Sequence, residues 1–185
     1  MKVTRFIAVT AIALCANHAA ARGLVVNQAI SEQELLAAQQ GWCKALVDIS
    51  STHDQSGQVA AKALAEKVID TAYGYQMGAV LFKPTLTVNP QTFRTTRAGA
   101  LAYFVGGDSA FPKDSGFALK GWRKCDVDNA AIFIAGNSAT TMGKVTLTNK
   151  GGNVTTVDKT WQFVKDDAGR LRIVVHHSSL EYAGQ

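Results

Sequence analysis

The sequence predicts an α+β fold: N-terminal helices packed on a strongly curved, mainly antiparallel sheet, together forming a cone with an internal pocket. Apolar residues recur at helical spacing between Leu35 and Tyr73. From Ala79 onward the spacing changes to the short-period pattern of strands, in runs rich in Val, Thr, Phe and Trp. Short turn clusters such as Asn149-Lys150-Gly151-Gly152-Asn153 and Asp166-Asp167-Ala168-Gly169 separate the later runs, so chain neighbours pair as antiparallel strands.

The first stretch is a leader by its pattern. Lys2 and Arg5 precede a short apolar run from Phe6 to Cys15, and Ala19-Ala20-Ala21 offers small residues to a signal peptidase. The expectation is a signal peptide over residues 1–21 and a single domain over residues 22–185, periplasmic or secreted. The apolar run is too short to span a bilayer, so no membrane association is expected after cleavage.

Ser31-Glu32-Gln33-Glu34 has the hydroxyl and carboxylate of a capping box and predicts a helix start. Leu35, Leu36, Trp42, Leu46 and Ile49 give that helix its apolar face. Residues 50–57 read as a polar loop, which makes His53 a solvated residue. A second helix is predicted over residues 58–73. Residues 80–88 form an extended run, and Pro84 assigns it to a sheet edge, an end or a bulge because proline cannot donate to a ladder. Residues 91–98 are a polar link. Leu101-Ala102-Tyr103-Phe104-Val105 is a short apolar stretch stopped by Gly106-Gly107-Asp108. Four strands follow, near residues 117–128, residues 130–136 continuing into 140–148, residues 155–165 and residues 171–180.

Composition narrows the function classes. The chain has 185 residues, 47% hydrophobic and 18% charged, which suits one globular domain with a substantial core. The net charge of +5 includes Lys2 and Arg5 of the leader, and no Lys/Arg run interleaves with aromatics, so a nucleic-acid groove is not expected. A glycine-rich phosphate loop, His-Glu-x-x-His and Gly-x-Ser-x-Gly are absent from the sequence. Cys43 and Cys125 could pair in an oxidising compartment, and their spacing is not that of a metal site. Whether they do pair depends on geometry that the sequence leaves open.

Val174-Val175-His176-His177-Ser178-Ser179-Leu180 places two imidazoles and two hydroxyls on the last strand. Alternation puts His176 and Ser178 on one face, and His177 and Ser179 on the other. Thr85, Tyr103, Lys83, His176, Ser178 and Asp158 could converge in a cone pocket. Each also has a plain alternative: Lys83 and Asp158 as surface charges, Tyr103 as a core aromatic, Thr85 as a strand former, and His176 as a satisfied core histidine.

Five segments occur in an order that resembles the iota-class carbonic anhydrases. They are Leu81-Phe82-Lys83-Pro84-Thr85, Tyr103-Phe104-Val105-Gly106-Gly107-Asp108, Phe111-Pro112-Lys113-Asp114-Ser115-Gly116-Phe117-Ala118-Leu119, Asp158-Lys159-Thr160-Trp161 and His176-His177-Ser178-Ser179-Leu180. The resemblance covers roughly Leu35 to Tyr182. It implies the cone-shaped fold of the ketosteroid isomerase and nuclear transport factor superfamily, reversible CO2 hydration, and a CO2 or bicarbonate pocket lined by Thr85, Tyr103, His176 and Ser178. It also implies a homodimer paired through the outer sheet face. Many relatives carry three histidines before the two serines, and Val175 takes the first of those places here.

Zinc and manganese are both described within that family, as is metal-free catalysis. A catalytic zinc wants three protein ligands, and only His176 is expected in the pocket, so a site without cofactor is the expectation. Thr85, Tyr103 and Ser178 would orient water and CO2, with His176 assisting proton transfer. Two other readings stay open: a non-catalytic small-ligand-binding module, and an isomerase acting on a larger apolar substrate with Asp158 as its carboxylate base. A small polar cavity would favour CO2, and a long apolar one the isomerase.

Overall fold

A computed structural model describes residues 27–184 of the chain. The expected signal peptide, residues 1–21, lies outside them. The first helix, α1 (Glu32–Ala72), starts where the sequence places it. The Glu34 N–H donates to the Ser31 hydroxyl at 3.2 Å, and the Ser31 N–H donates to the Glu34 carboxylate at 2.8 Å, which completes the capping box. Leu35, Trp42, Leu46 and Ile49 are buried along one side, followed by Ala61, Ala65 and Ile69.

Residues 50–57 are not the expected loop. The helix runs through Ser50 and His53 and breaks only at Gly57, where φ 78° and ψ −176° produce a kink. Polar residues such as Ser, Thr, Asp and His lower helix propensity only slightly, and packing offsets that cost. A φ in that range is a glycine conformation, so Gly57 alone marks the bend.

The five strands are β1 (Leu81–Lys83), β2 (Trp122–Ala135), β3 (Ser138–Asn149), β4 (Val154–Lys165) and β5 (Leu171–Ser179). They form one sheet in the order β1-β5-β4-β3-β2, antiparallel except that β1 runs parallel to β5. The predicted run over residues 80–88 shortens to β1 alone, and Pro84 ends it at the sheet edge. Phe117–Leu119 is a 3₁₀ turn rather than the start of a strand.

The strand predicted over residues 130–136 and 140–148 is in fact the hairpin of β2 and β3. Its two-residue turn is Gly136-Asn137, with φ 59° at Gly136, the glycine-first placement that matches strand twist. The break expected near Asn129 is a register shift between Asn129 and Ala131. A Cβ on Gly143 would lie 2.1 Å from the Asp128 carbonyl oxygen, so only glycine lets β3 approach this bulge. Bulges of this kind bend a sheet. Gln39 of α1 holds the place by exchanging hydrogen bonds with Asn129 at 2.8 and 2.9 Å, and it donates to Thr141 at 3.1 Å.

The second helix, α2 (Arg97–Val105), contains the short apolar stretch over residues 101–105. The Thr96 hydroxyl accepts from the Gly99 N–H at 3.2 Å, and Gly106 ends the helix at φ 62°. The disulfide Cys43–Cys125, with Cα atoms 5.3 Å apart, ties α1 to β2. Among the described residues no helix is long and apolar enough to cross a membrane.

Candidate active site

The inner face of the sheet builds the site. On β4, Val157, Lys159, Trp161 and Phe163 alternate inward, each buried. On β5, His176 and Ser178 point the same way, each 2% exposed. Cross-strand register sets Lys159 opposite Ser178 and Trp161 opposite His176, so these four side chains form one cluster. β1 supplies Phe82, which is opposite His176 and stacks on it at 4.3 Å between ring centroids. Thr85 follows in the turn after Pro84, and Tyr103 reaches in from α2.

Thr85, Tyr103, Lys159, His176 and Ser178 line a common cavity of about 10 Å³, walled by Trp42, Phe82, Pro84, Phe104 and Phe117. That is room for about one water-sized molecule. The Thr85 hydroxyl donates to the Ser178 hydroxyl at 2.6 Å. Lys83 Nζ donates to the Ser178 carbonyl at 3.1 Å, which fixes the end of β5 against β1. Tyr103 is 5% exposed, and burial raises its pKa above the ordinary phenol value although Thr85 and the Leu86 backbone pull it down.

Both ring nitrogens of His176 are engaged. Nδ1 lies 2.8 Å from the Tyr73 hydroxyl, and Nε2 lies 2.8 Å from Lys159 Nζ. The Trp42 Nε1–H donates to that same Tyr73 hydroxyl at 2.9 Å. Burial lowers the His176 pKa well below its ordinary value, and Lys159 lowers it further whenever it carries a proton. Burial also lowers Lys159 to about 7. Tyr73 is driven the other way, well above an ordinary phenol, and stays a hydroxyl.

The protein-family comparison matches residues 33–180 to the family described as metal-independent carbonic anhydrase. The chain belongs to this family. A curated relative from Nostoc sp. (strain PCC 7120 / SAG 25.82 / UTEX 2576), named metal-independent carbonic anhydrase, is 69% identical over 158 residues, covering 85% of this chain and 77% of the relative. Among solved structures, the iota-carbonic anhydrase from a cyanobacterium, crystallised with bicarbonate, is 67% identical with a TM-score of 0.86, covering 88% of this chain and 99% of that one. A putative calcium/calmodulin dependent protein kinase II association domain from Xanthomonas campestris has a TM-score of 0.55 at 23% identity, over 84% of this chain and 91% of that one, and shares the fold alone.

The expected four, Thr85, Tyr103, His176 and Ser178, meet at one cavity in this member of the metal-independent carbonic anhydrases. Lys83 touches Ser178 only through the backbone carbonyl. Asp158 is on the outer sheet face, half exposed and 3.9 Å from Lys144, not in the pocket. His177 is exposed. Among the described residues no group of three or more His, Cys, Asp or Glu could hold a metal ion. The metal-free expectation agrees with the family's description. Lys159, Tyr73 and Trp42 were not among the expected site residues. Lys159 was within reach, since it alternates with Val157 and Trp161 on a strand that the sequence already locates.

Proposed function

We propose that the protein catalyses the reversible hydration of CO2 to bicarbonate without a metal, as an iota-class carbonic anhydrase. The convergence of Thr85, Tyr103, His176 and Ser178 on one small cavity carries this reading. Water has a pKa of about 15.7, so free hydroxide is scarce at neutral pH, and attack on CO2 must be concerted with proton removal. Ser178 accepts from Thr85 and keeps its own O–H for the cavity. That hydroxyl and the Tyr103 hydroxyl hold the oxygens on which charge grows, while Thr85 sets their orientation. His176 assists proton transfer.

The isomerase alternative loses its footing. The cavity is small and carries hydroxyls and an imidazole, a lining that suits a small polar substrate better than a large apolar one. An isomerase would also need a carboxylate base, and Asp158 faces outward. A binding module remains the reading that activity measurements would have to support against hydration. The test is stopped-flow CO2 hydration after chelator treatment, comparing the protein with Tyr103→Phe and Ser178→Ala. Turnover falls about a hundredfold or more in each while circular dichroism stays unchanged, the loss associated with one oxyanion donor. Full activity in both variants would sink the assignment.

We further propose that the protein is exported to the periplasm or secreted, after removal of residues 1–21, and works there as a homodimer. Lys2, Arg5 and the apolar run after them support export. The outer sheet face supports pairing: Phe133 and Met142 lie on it, 71% and 60% exposed.

A further inference from the structure

Lys159 is a lysine buried at 6% exposure on the inner sheet face, and among the described residues no carboxylate lines its cavity. Its surroundings fix its proton count. The Trp42 indole N–H can only donate, and it donates to the Tyr73 hydroxyl. The hydrogen of Tyr73 then needs an acceptor, and among the described residues His176 Nδ1, 2.8 Å away, is the one in reach. With Nδ1 accepting, a neutral imidazole carries its hydrogen on Nε2. That N–H points at Lys159 Nζ, 2.8 Å away. An ammonium has three donors and no lone pair, so it would set donor against donor there. A neutral amine accepts and closes the chain.

We propose that Lys159 rests as a neutral amine and is the base that takes the proton of the attacking water, held in that state by the buried chain Trp42–Tyr73–His176. This rests on the hydration reading above and deepens it: His176 assists by keeping Lys159 unprotonated. In the step, a turn about the Cε–Nζ bond moves the amine lone pair from Nε2–H to the water. The water O–H bond breaks, its proton bonds to Nζ, and the oxygen lone pair forms the new O–C bond. One C=O π pair moves onto oxygen and becomes the bicarbonate charge held by Ser178 and Tyr103. The resulting ammonium faces Nε2–H, and this conflict favours loss of the proton to solvent, which restores the amine.

The other groups around Nζ agree with this state. Tyr73 at the end of α1 and Tyr103 on α2 stay protonated, because burial raises both. Lys83 on β1 adds a positive charge nearby, bonded to the Ser178 carbonyl. Asp158 and His177, the neighbours of Lys159 and His176 in sequence, line with Lys144 a groove on the opposite sheet face, which Lys159 also borders. The Trp42 and Trp161 rings, with centroids 5.0 and 5.2 Å from Nζ, would attract an ammonium. Burial lowers the pKa to about 7, which leaves the amine available at neutral pH.

The experiment combines lysine-selective ¹³C/¹⁵N NMR with a pH–rate profile. The expected result is one lysine side chain that titrates near pH 7, with its signal missing in Lys159→Met. The rate constant kcat/KM for CO2 rises with pH through the same midpoint. In Lys159→Met and in the permanently charged Lys159→Arg, hydration falls about a hundredfold or more and that pH limb disappears. A Lys159 signal titrating near the ordinary value of about 10.4 would overturn the neutral resting state. An unchanged pH limb in a folded Lys159→Met protein would overturn the base role. Absence of hydration by the wild type would remove the hydration reading and the base role with it, while the NMR titration would still decide the charge of Lys159.

Discussion

Tyr73 serves two buried partners with one hydroxyl: it accepts from Trp42 Nε1–H and donates to His176 Nδ1. Tyr73→Phe leaves both unpaired, and each orphaned buried group costs about 1–3 kcal/mol. The variant is expected to lose about 2–6 kcal/mol of stability in urea unfolding, without a change in m-value. It also frees His176 to change tautomer, so the pH dependence of hydration shifts even where the folded population is complete. At this scale the sequence showed half of the site. His176 and Ser178 were legible because strand alternation is strict and Gly169 marks where β5 begins. Lys159 was not, although the same alternation pairs it with Trp161. Lysine is almost never fully buried, so the sequence offers no ordinary reason to place one in a pocket. Tyr73 could not be found from pattern alone, because its partner His176 lies 103 residues away.

A buried ion pair anchors the loop between α2 and the 3₁₀ turn. Arg94 and Asp114 are 2% and 3% exposed and meet with N–O distances of 2.7, 2.8 and 3.1 Å. Arg94 also lies over the Phe111 ring, 4.9 Å from its centroid. Asp114 is followed by Gly116 and Phe117, and Phe117 stacks on Tyr103 at 5.4 Å. Removing one partner of a buried pair leaves an uncompensated charge, at a cost of about 3–5 kcal/mol. Asp114→Asn is therefore expected to lower the melting temperature and to weaken hydration through the position of Tyr103. An unaltered melt in calorimetry would mean that water reaches Arg94. Here the sequence was incomplete for a physical reason: residues 101–105 read only as a short apolar stretch, with no helical period assigned. The five residues are too few to show one, and the signal lay in Thr96, Gly106 and the alanines between them. The kink in α1 went the opposite way, since a polar stretch looked like a loop although only Gly57 needs a non-helical backbone.

The molecule encloses its site between α1 and the sheet, so the stability of that contact decides whether the cavity keeps its shape. The Cys43–Cys125 disulfide joins these two layers across a sequence separation of 82. Cys43 neighbours Trp42, which walls the cavity and begins the chain to Lys159. The sequence located both thiols but left the pairing open, because it could not place α1 over β2. Cross-linking a loop of this length limits the unfolded chain and contributes about 4–5 kcal/mol in the loop-entropy description. Each kcal/mol moves the melting temperature of a domain this size by about 2–4 °C. Replacing both residues, as Cys43→Ala with Cys125→Ala, is thus expected to lower it by about 10 °C or more, and reductant added to the wild type should produce a shift of the same sign. The apolar contacts of Trp42, Leu46 and Ile49 remain, so the double variant is expected to fold and hydrate CO2 at low temperature. If the melt does not move in either case, the α1–sheet contact is held by its buried apolar layer and the Gln39–Asn129 pair, and the cross-link contributes nothing to keeping the site closed.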